Sequence, residues 1–457
     1  MSLTGPPGSL RRSRRLDVVL RTIDVRGLRP DDYAAVVPRA QFDVAAALTT
    51  VVPICEAVRT RGEDALREYS RAFDHVVPES FRVPAVAIAE ALDQMDDPLR
   101  AAVEEAIRRR RVVAETCEAE PAWREAELAP GARVGYRIVP VRRVGLYVPG
   151  GLAPLASSVL MNVVPAQAAG VESIAVASPP QAEFGGMPHP VVLAVCALLG
   201  VDEVYAVGGA QAVAMFAYGV PGLCPRVDLV TGPGNIYVVA AKRALRGVVG
   251  IDSEAGPSEI CVWADDTANA AWVAADLISQ AEHDPLAASV LVTDSPGLAA
   301  AVDAEIVAQL PANPLAERLG HSLGGEQSGI VLVDGPDQAL AVVDAYAAEH
   351  LEIHTRDAAG NAARVRNAGA IFVGPYSPVP LGDYSSGSTH VLPTGGAARF
   401  SSGLTRRSFC RDVHVIDYDA PGLAAIAAGI IRFADAEHLP GHAHAIALRQ
   451  GDPGEPR

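Results

Sequence analysis

Residues 278–284 read ISQAEHD, at the end of an alanine-rich stretch with helical spacing. Gln280, Glu282, His283 and Asp284 fall within five positions there. On a helix, residues three or four apart share a face, so Gln280 and His283 point together. Glu282 lies about 200° around the helix from Gln280 and faces away. Asp284 is expected to stay out of direct contact with anything that Gln280 and His283 bind. An amide oxygen and an imidazole on one face can hold a cation. Taken alone, such a pair is more often the polar end of an ordinary helix.

Three further segments change that reading. AYAAEHLEIHT (345–355) is expected to end a helix at Glu349–His350 and then enter a strand. A carboxylate beside an imidazole suits acid–base work, because each tunes the other. LGDYSSGSTHVLPT (381–394) reads as a turn-rich loop carrying Asp383 and His390, and long loops with an acid and an imidazole are more often functional than packing. ADAEHLPGHAHAIALR (434–449) places His438, His442 and His444 near Glu437. A Gln, an Asp and two His in one site would be hard enough for a divalent cation and imidazole-rich enough for zinc.

The elements that must position these side chains alternate in type. From about residue 140, short β-branched runs such as RVGLYVPGG (143–151), SIAVAS (173–178), EVYAVGG (203–209) and VDLVTGPGN (227–235) alternate with helical segments. The pattern restarts with EICVWA (259–264), ASVLVTD (288–294), GIVLVDG (329–335) and AIFVG (370–374). Strand, turn and helix in repetition predict parallel sheets covered by helices, in two α/β units of similar style. The chain before residue 140 is expected to be mostly helical, and a helical tail follows residue 395. Three glycine turns, VPGGLAP, VGGAQA and TGPGN, follow strands of the first unit. Backbone N–H groups at such turns can face an anion, which points to a nucleotide or phosphate ligand. Gln211 and Asn235 stand just beyond two of these turns; their bland role is capping.

Bulk composition bounds the rest. A chain of 457 residues, 49% hydrophobic and 20% charged, is globular and too long for one core. A net charge of −16 argues against nucleic acid as a partner. One lysine, Lys242, stands among 38 basic residues, which reads as genome composition. Six scattered cysteines form no CxxC pair. No apolar run approaches the roughly 20 residues that span a bilayer, and no signal-type apolar block follows the N-terminal arginines. The expectation is a cytoplasmic protein with reduced thiols and no membrane contact.

Read together, VGLYVPGGLAPLASSVLMN, VGGAQAVA, GPGNIYV, EAGPSEI, DLISQAEHD, AEHLEI, LGDYSSGSTHVLPT and ARFSSGL resemble the histidinol dehydrogenase family. The likeness runs from about residue 30 to 450. It implies two incomplete Rossmann-like parallel-sheet domains with small helical N- and C-terminal segments. The implied division is an arm (1–35), an α/β domain of 36–145 with 258–400 carrying most catalytic and zinc residues, an NAD-binding domain (146–257) and a tail (401–457) exchanged in a homodimer. It implies oxidation of L-histidinol with two NAD+ and one zinc per site. The zinc ligands carried over are Gln280, His283, Asp383 and His442, with His444 the rival for the last. Ser258, His350, His390 and Glu437 would touch substrate alongside the zinc ligands, Glu349 and His350 would be the acid–base pair, and Tyr147, Gln211 and Asn235 would contact NAD. After SSGL the chain reads TRRSFCRDV, which departs from the family's usual tail start. A metal-dependent hydrolase with purely structural glycine turns is the competing class, and a dehydrogenase of another small polar alcohol is the competing substrate.

Overall fold

The β-branched runs become two parallel sheets. The structure, a computed structural model, describes residues 20–40, 43–150, 154–254 and 256–450. The expected arm before residue 20 and the middle of the first glycine turn lie outside the described residues. In the first sheet the strands lie in the order Val204–Ala206, Ser173–Ser178, Arg143–Tyr147, Leu229–Thr231, Gly250–Ile251. Every pair is parallel. In the second the order is Thr22–Asp24, Gly329–Leu332, Ala288–Thr293, Glu259–Ala264, His350–His354, Ala370–Val373, again all parallel. In each sheet the chain builds outward from a central strand through two neighbours and then jumps to its other side, and in the second sheet the early strand Thr22–Asp24 adds to the outer edge. That shared order is the doubly wound pattern, with its reversal beside Arg143–Tyr147 in one sheet and beside Glu259–Ala264 in the other. Both central strands are buried along their whole length, as parallel strands covered on two faces must be.

The chain before residue 140 departs from expectation in two ways. Trp123–Ala129 and Ala132–Pro140 form an antiparallel hairpin rather than helix, and Cys410–Tyr418 adds to it as a third strand. Its alternation is hard to read in the sequence because one hairpin strand is exposed at every position. Second, the packing divides the chain differently from the expected pairing of 36–145 with 258–400. Val44, Val51, Ile54 and Val58 of the helix Val44–Arg61 share a core with Val213, Met215, Val238 and Val239 of the first unit. Ile88 and Ile107 join Val192 and Val195 on that unit's other face. The second unit takes instead the first described residues: Leu20, Val25, Tyr33 and Val37 are buried against its strands. The apolar faces of the helices between residues 44 and 116 carry no label for which sheet they cover.

The single lysine is not surface decoration. Lys242 is buried, pairs with Asp252, and donates to the Gly232 carbonyl oxygen at 3.0 Å. Asp252 accepts from the Gly232 N–H at 2.9 Å. The pair thereby pins the TGPGN turn against the end of the strand Arg143–Tyr147, where any side chain at Gly232 would overlap the Tyr147 carbonyl. Replacing Lys242 with Met leaves a buried carboxylate unpaired and is expected to cost about 3–5 kcal/mol, read by chemical denaturation. A loss under about 1 kcal/mol would contradict that role. Among the described residues no helix is long and apolar enough to cross a membrane.

Candidate active site

Four chain segments converge at the amino ends of the second sheet's central strands. Ser258 immediately precedes the strand Glu259–Ala264, and Glu349 immediately precedes His350–His354. The expected helix ending at Glu349–His350 stops earlier, at Tyr346, because Ala347 adopts a left-handed conformation with φ 52°. Glu349 and His350 therefore open a strand. Glu349 Oε2 accepts from Ser258 Oγ at 2.7 Å and from the Glu259 N–H at 3.0 Å. The Glu259 carbonyl oxygen lies 3.1 Å from His350 Nδ1. A carbonyl only accepts, so Nδ1 carries the proton and Nε2 presents its lone pair. Nε2 is buried and has no hydrogen-bond partner among the described residues. Burial raises the Glu349 pKa above the usual carboxylate range, against the lowering pull of His350 and the Ser258 hydrogen bond.

Gln280 enters from the helix Ala270–Ala281. Its Nε2 donates to Ser258 Oγ at 2.5 Å, while its Oε1 is buried without a partner among the described residues. The helix ends two residues before His283, but a tight turn bonds the His283 N–H to the Gln280 carbonyl oxygen at 3.2 Å and keeps the expected spacing. Glu282 instead accepts from Asn313 Nδ2 at 2.8 Å, and Asp284 caps a turn at the Leu286 N–H. Asp383 sits near the end of a short helix, Val379–Tyr384, where a loop was expected. Its Oδ2 lies 3.7 Å from His283 Nε2. Burial opposes both charges, yet the two groups outweigh it: the His283 pKa is raised and the Asp383 pKa lowered. His390 Nδ1 lies 3.2 Å from the Asp383 carbonyl oxygen, and its Nε2 lies 3.1 Å from Ser158 Oγ.

That last contact joins the two units. Ser158 belongs to the first turn of the helix Ser157–Ala169, which follows the first unit's first strand. The nucleotide candidates occupy the carboxyl edge of that unit. Tyr147 ends its strand, and its hydroxyl accepts from the Gly209 N–H at 3.1 Å. Gln211 is buried two residues further along the helix Gly209–Tyr218. Asn235 Oδ1 caps the helix Ile236–Leu245 by accepting from the Tyr237 and Val238 N–H groups. The two remaining candidates, Glu437 and His442, stand apart. Both are exposed on the tail, where the helix Pro440–Ala447 packs on the helix Ala420–Ala436 and the turn after it.

Sequence reading missed a second polar cluster. Asp276, Glu352 and His354 offer ligand-type atoms within 4.8 Å of one another, all buried. His354 Nε2 lies 3.3 Å from Glu352 Oε2 and 3.9 Å from Asp276 Oδ2. The signal was present: HLEIH alternates polar and apolar residues through a buried strand. Glu352 Oε1 also accepts from the Val379 N–H at 2.7 Å. The cluster thus ties together the helix bearing Gln280, the strand bearing His350 and the helix bearing Asp383. Its three donors are buried, as is Gln280, whereas the His283 side chain stays about a third exposed and Asp383 partly so. Burial and the neighbouring Glu352 carboxylate push Asp276 up to about 8. The stability this raised pKa supplies is full below the unfolded carboxylate value of about 4 and drains as pH rises to about 8. Asp276→Asn is expected to keep a donor toward Glu352 and to flatten the fall of Tm across that window. Parallel wild-type and variant Tm–pH curves would refute it.

The comparisons with known proteins decide the family. The sequence model of histidinol dehydrogenase matches residues 37–450. The chain belongs to the histidinol dehydrogenase family. It is 64% identical over 437 residues to histidinol dehydrogenase of Cutibacterium acnes, covering 94% of this chain and 100% of that one. It is 61% identical over 431 residues to that of Thermobifida fusca, covering 94% and 98%. The crystal structure of histidinol dehydrogenase from Elizabethkingia anophelis superposes with a TM-score of 0.87 at 31% identity, covering 94% and 98%. Membership makes the chain an oxidoreductase, and the α/β fold built on two parallel sheets is that of the family.

Proposed function

We propose that the chain oxidises L-histidinol to L-histidine through L-histidinaldehyde, with zinc at the site and two NAD+ reduced, as the last step of histidine biosynthesis. The observation that carries this reading is the junction itself. An acid–base pair, Glu349–His350, and an amide oxygen with no protein partner lie on one unit. They meet, through His390 and Ser158, the carboxyl edge of a doubly wound sheet on the other. The chemistry of the donors fits a cation: Gln280 Oε1 has a buried lone pair to offer, and His283 and Asp383 face one another beside it. Gln280, His283 and Asp383 would hold zinc with His442 of the partner subunit. Bound zinc would anchor the substrate's imidazole and amino nitrogens and orient its carbinol.

The chain's own residues then do the following. His350 Nε2 takes the hydroxyl proton as the first hydride leaves the carbinol carbon for NAD+, leaving the aldehyde. Glu349 draws a proton from a water that adds to that carbon, and the second hydride leaves the hydrate to give the carboxylate. Ser258 and the Glu259 N–H hold Glu349 in position. His390 would meet the substrate between the two units, and Glu437 of the partner subunit would accept from its zinc-bound amino group. The carboxyl edge carrying Tyr147, Gln211 and Asn235 receives NAD+. The homodimer is supported by the tail: Phe433, Leu439 and Leu448 are exposed apolar side chains around Glu437 and His442, an uncovered surface that suits a second copy. The cytoplasm is the proposed compartment.

The test is NADH formation from L-histidinol, before and after chelation and with zinc restored. We expect activity that chelation removes and zinc returns. No NADH from a folded, zinc-loaded sample would refute the reading and favour a hydrolase.

A further inference from the structure

The first sheet ends where dinucleotides bind, yet one part expected there is missing. In doubly wound sheets an acidic residue near the end of the second strand accepts the hydroxyls of the adenosine ribose. Here that strand, Ser173–Ser178, runs into Pro179, Pro180 and Gln181. The nearest acid, Glu183, is exposed in the turn beyond.

A carboxylate reaches this corner from elsewhere in the chain. Asp74 lies at the end of a π-helical turn, Ser70–Asp74, and is followed by His75 in the left-handed region at φ 57°. Its Oδ1 lies 3.2 Å from the point where a side chain at Gly208 would begin. Pro179 lies 3.0 Å from that same point. Gly208 ends the third strand's turn, and Pro179 follows the second strand. Asp74 thus stands between the two strand ends, next to the turn whose Gly209 N–H meets Tyr147. Its Oδ2 is buried and has no hydrogen-bond partner among the described residues. Ser178 Oγ is likewise buried and unpartnered, 3.2 Å from where a side chain at Gly150 would begin. Glycines at 150 and 208 add no side chain of their own to this corner, which Pro179 and Gln181 flank. Among the described residues no cation offsets the Asp74 charge, and burial pushes its pKa up to about 7. A buried carboxylate oxygen without a partner among the described residues, held next to Gly208, has lone pairs to offer to O–H groups.

We propose that Asp74 is the residue that selects the cofactor: its carboxylate accepts the vicinal hydroxyls of the adenosine ribose of NAD+ and repels the 2′-phosphate of NADP+. This rests on the reading of the first unit as the NAD+ site. A ribose diol offers two donors to one carboxylate, while a 2′-phosphate would bring a second negative charge into a partly buried corner.

The experiment measures equilibrium binding of NAD+ and of NADP+ by calorimetry to zinc-loaded wild type, Asp74→Asn and Asp74→Ser, with melting temperature and KM for L-histidinol alongside. We expect wild type to bind NAD+ at least about tenfold more tightly than NADP+. Asp74→Asn should weaken NAD+ by about tenfold and bring the two nucleotides within about threefold of each other. Melting temperature and KM for L-histidinol should hold. If Asp74→Asn folds poorly, Asp74→Ser carries the same expectation. A folded variant with both affinities unchanged, or both weakened in the same ratio, overturns the proposal. So does a wild type indifferent to the 2′-phosphate. A wild type that binds neither nucleotide overturns the dehydrogenase reading itself, which separates the two failures.

Discussion

Glu349→Gln is expected to slow L-histidine formation by about 10²–10⁴-fold while zinc content stays at the wild-type level. The amide oxygen can still accept from Ser258 Oγ and the Glu259 N–H, the two donors that hold Oε2. Position is kept, and the base is lost. The loss falls on hydration of the aldehyde, so the first oxidation should survive better than the second. A rapid-mixing experiment should then show a first equivalent of NADH, with aldehyde trapped by an added nucleophile. His350→Asn should instead slow the first step if, as proposed, Nε2 takes the hydroxyl proton. Loss of zinc in Glu349→Gln would make Glu349 a ligand and overturn its assignment as base.

Mixing two inactive variants is expected to restore activity. His283→Ala breaks the cluster on the second unit, and His442→Ala breaks the tail. In the proposed homodimer each variant should lose zinc and fall by several orders of magnitude. Unfolding, mixing and refolding them in equal amounts makes half the dimers mixed. If each tail completes the partner's site, a mixed dimer holds one site with both histidines intact, and the sample recovers about a quarter of wild-type activity. If each tail folds back onto its own second unit, every site lacks one histidine and nothing is recovered. The separation of His442 from His283 and Asp383 within one chain motivates the first outcome. The exposed apolar side chains beside it supply the surface on which a second copy would sit.

Much of this architecture was legible because parallel strands are buried on both faces and announce themselves as apolar runs ending in glycine turns. The order of strands was not, since a jump from one side of a sheet to the other leaves no local trace. The pairing of Gln280 with His283 followed from helical spacing and survived the helix ending between them, because the next turn preserved it. The cluster of Asp276, Glu352 and His354 was missed through weighing HLEIH for His350 alone. Glu259 was missed for a different reason. It serves the site through its backbone N–H and carbonyl, and a backbone contact has no residue type to betray it. The assignment of the helices within 44–116 failed because amphipathic faces say that something is covered and not what. Asp74 was passed over for the same reason: only the fold brings it to the glycine turn 134 positions further on.

The buried lysine makes the chain its own unfolding sensor. With Lys242 the sole lysine and its ammonium sealed against Asp252, an amine-selective reagent finds no lysine side chain on the folded surface. Modification at that one position therefore counts the molecules whose first unit has opened, and its rate measures how often the turn that Lys242 pins comes loose. Cofactors that close this edge should slow the labelling in proportion to their occupancy, giving a readout of binding that needs no turnover.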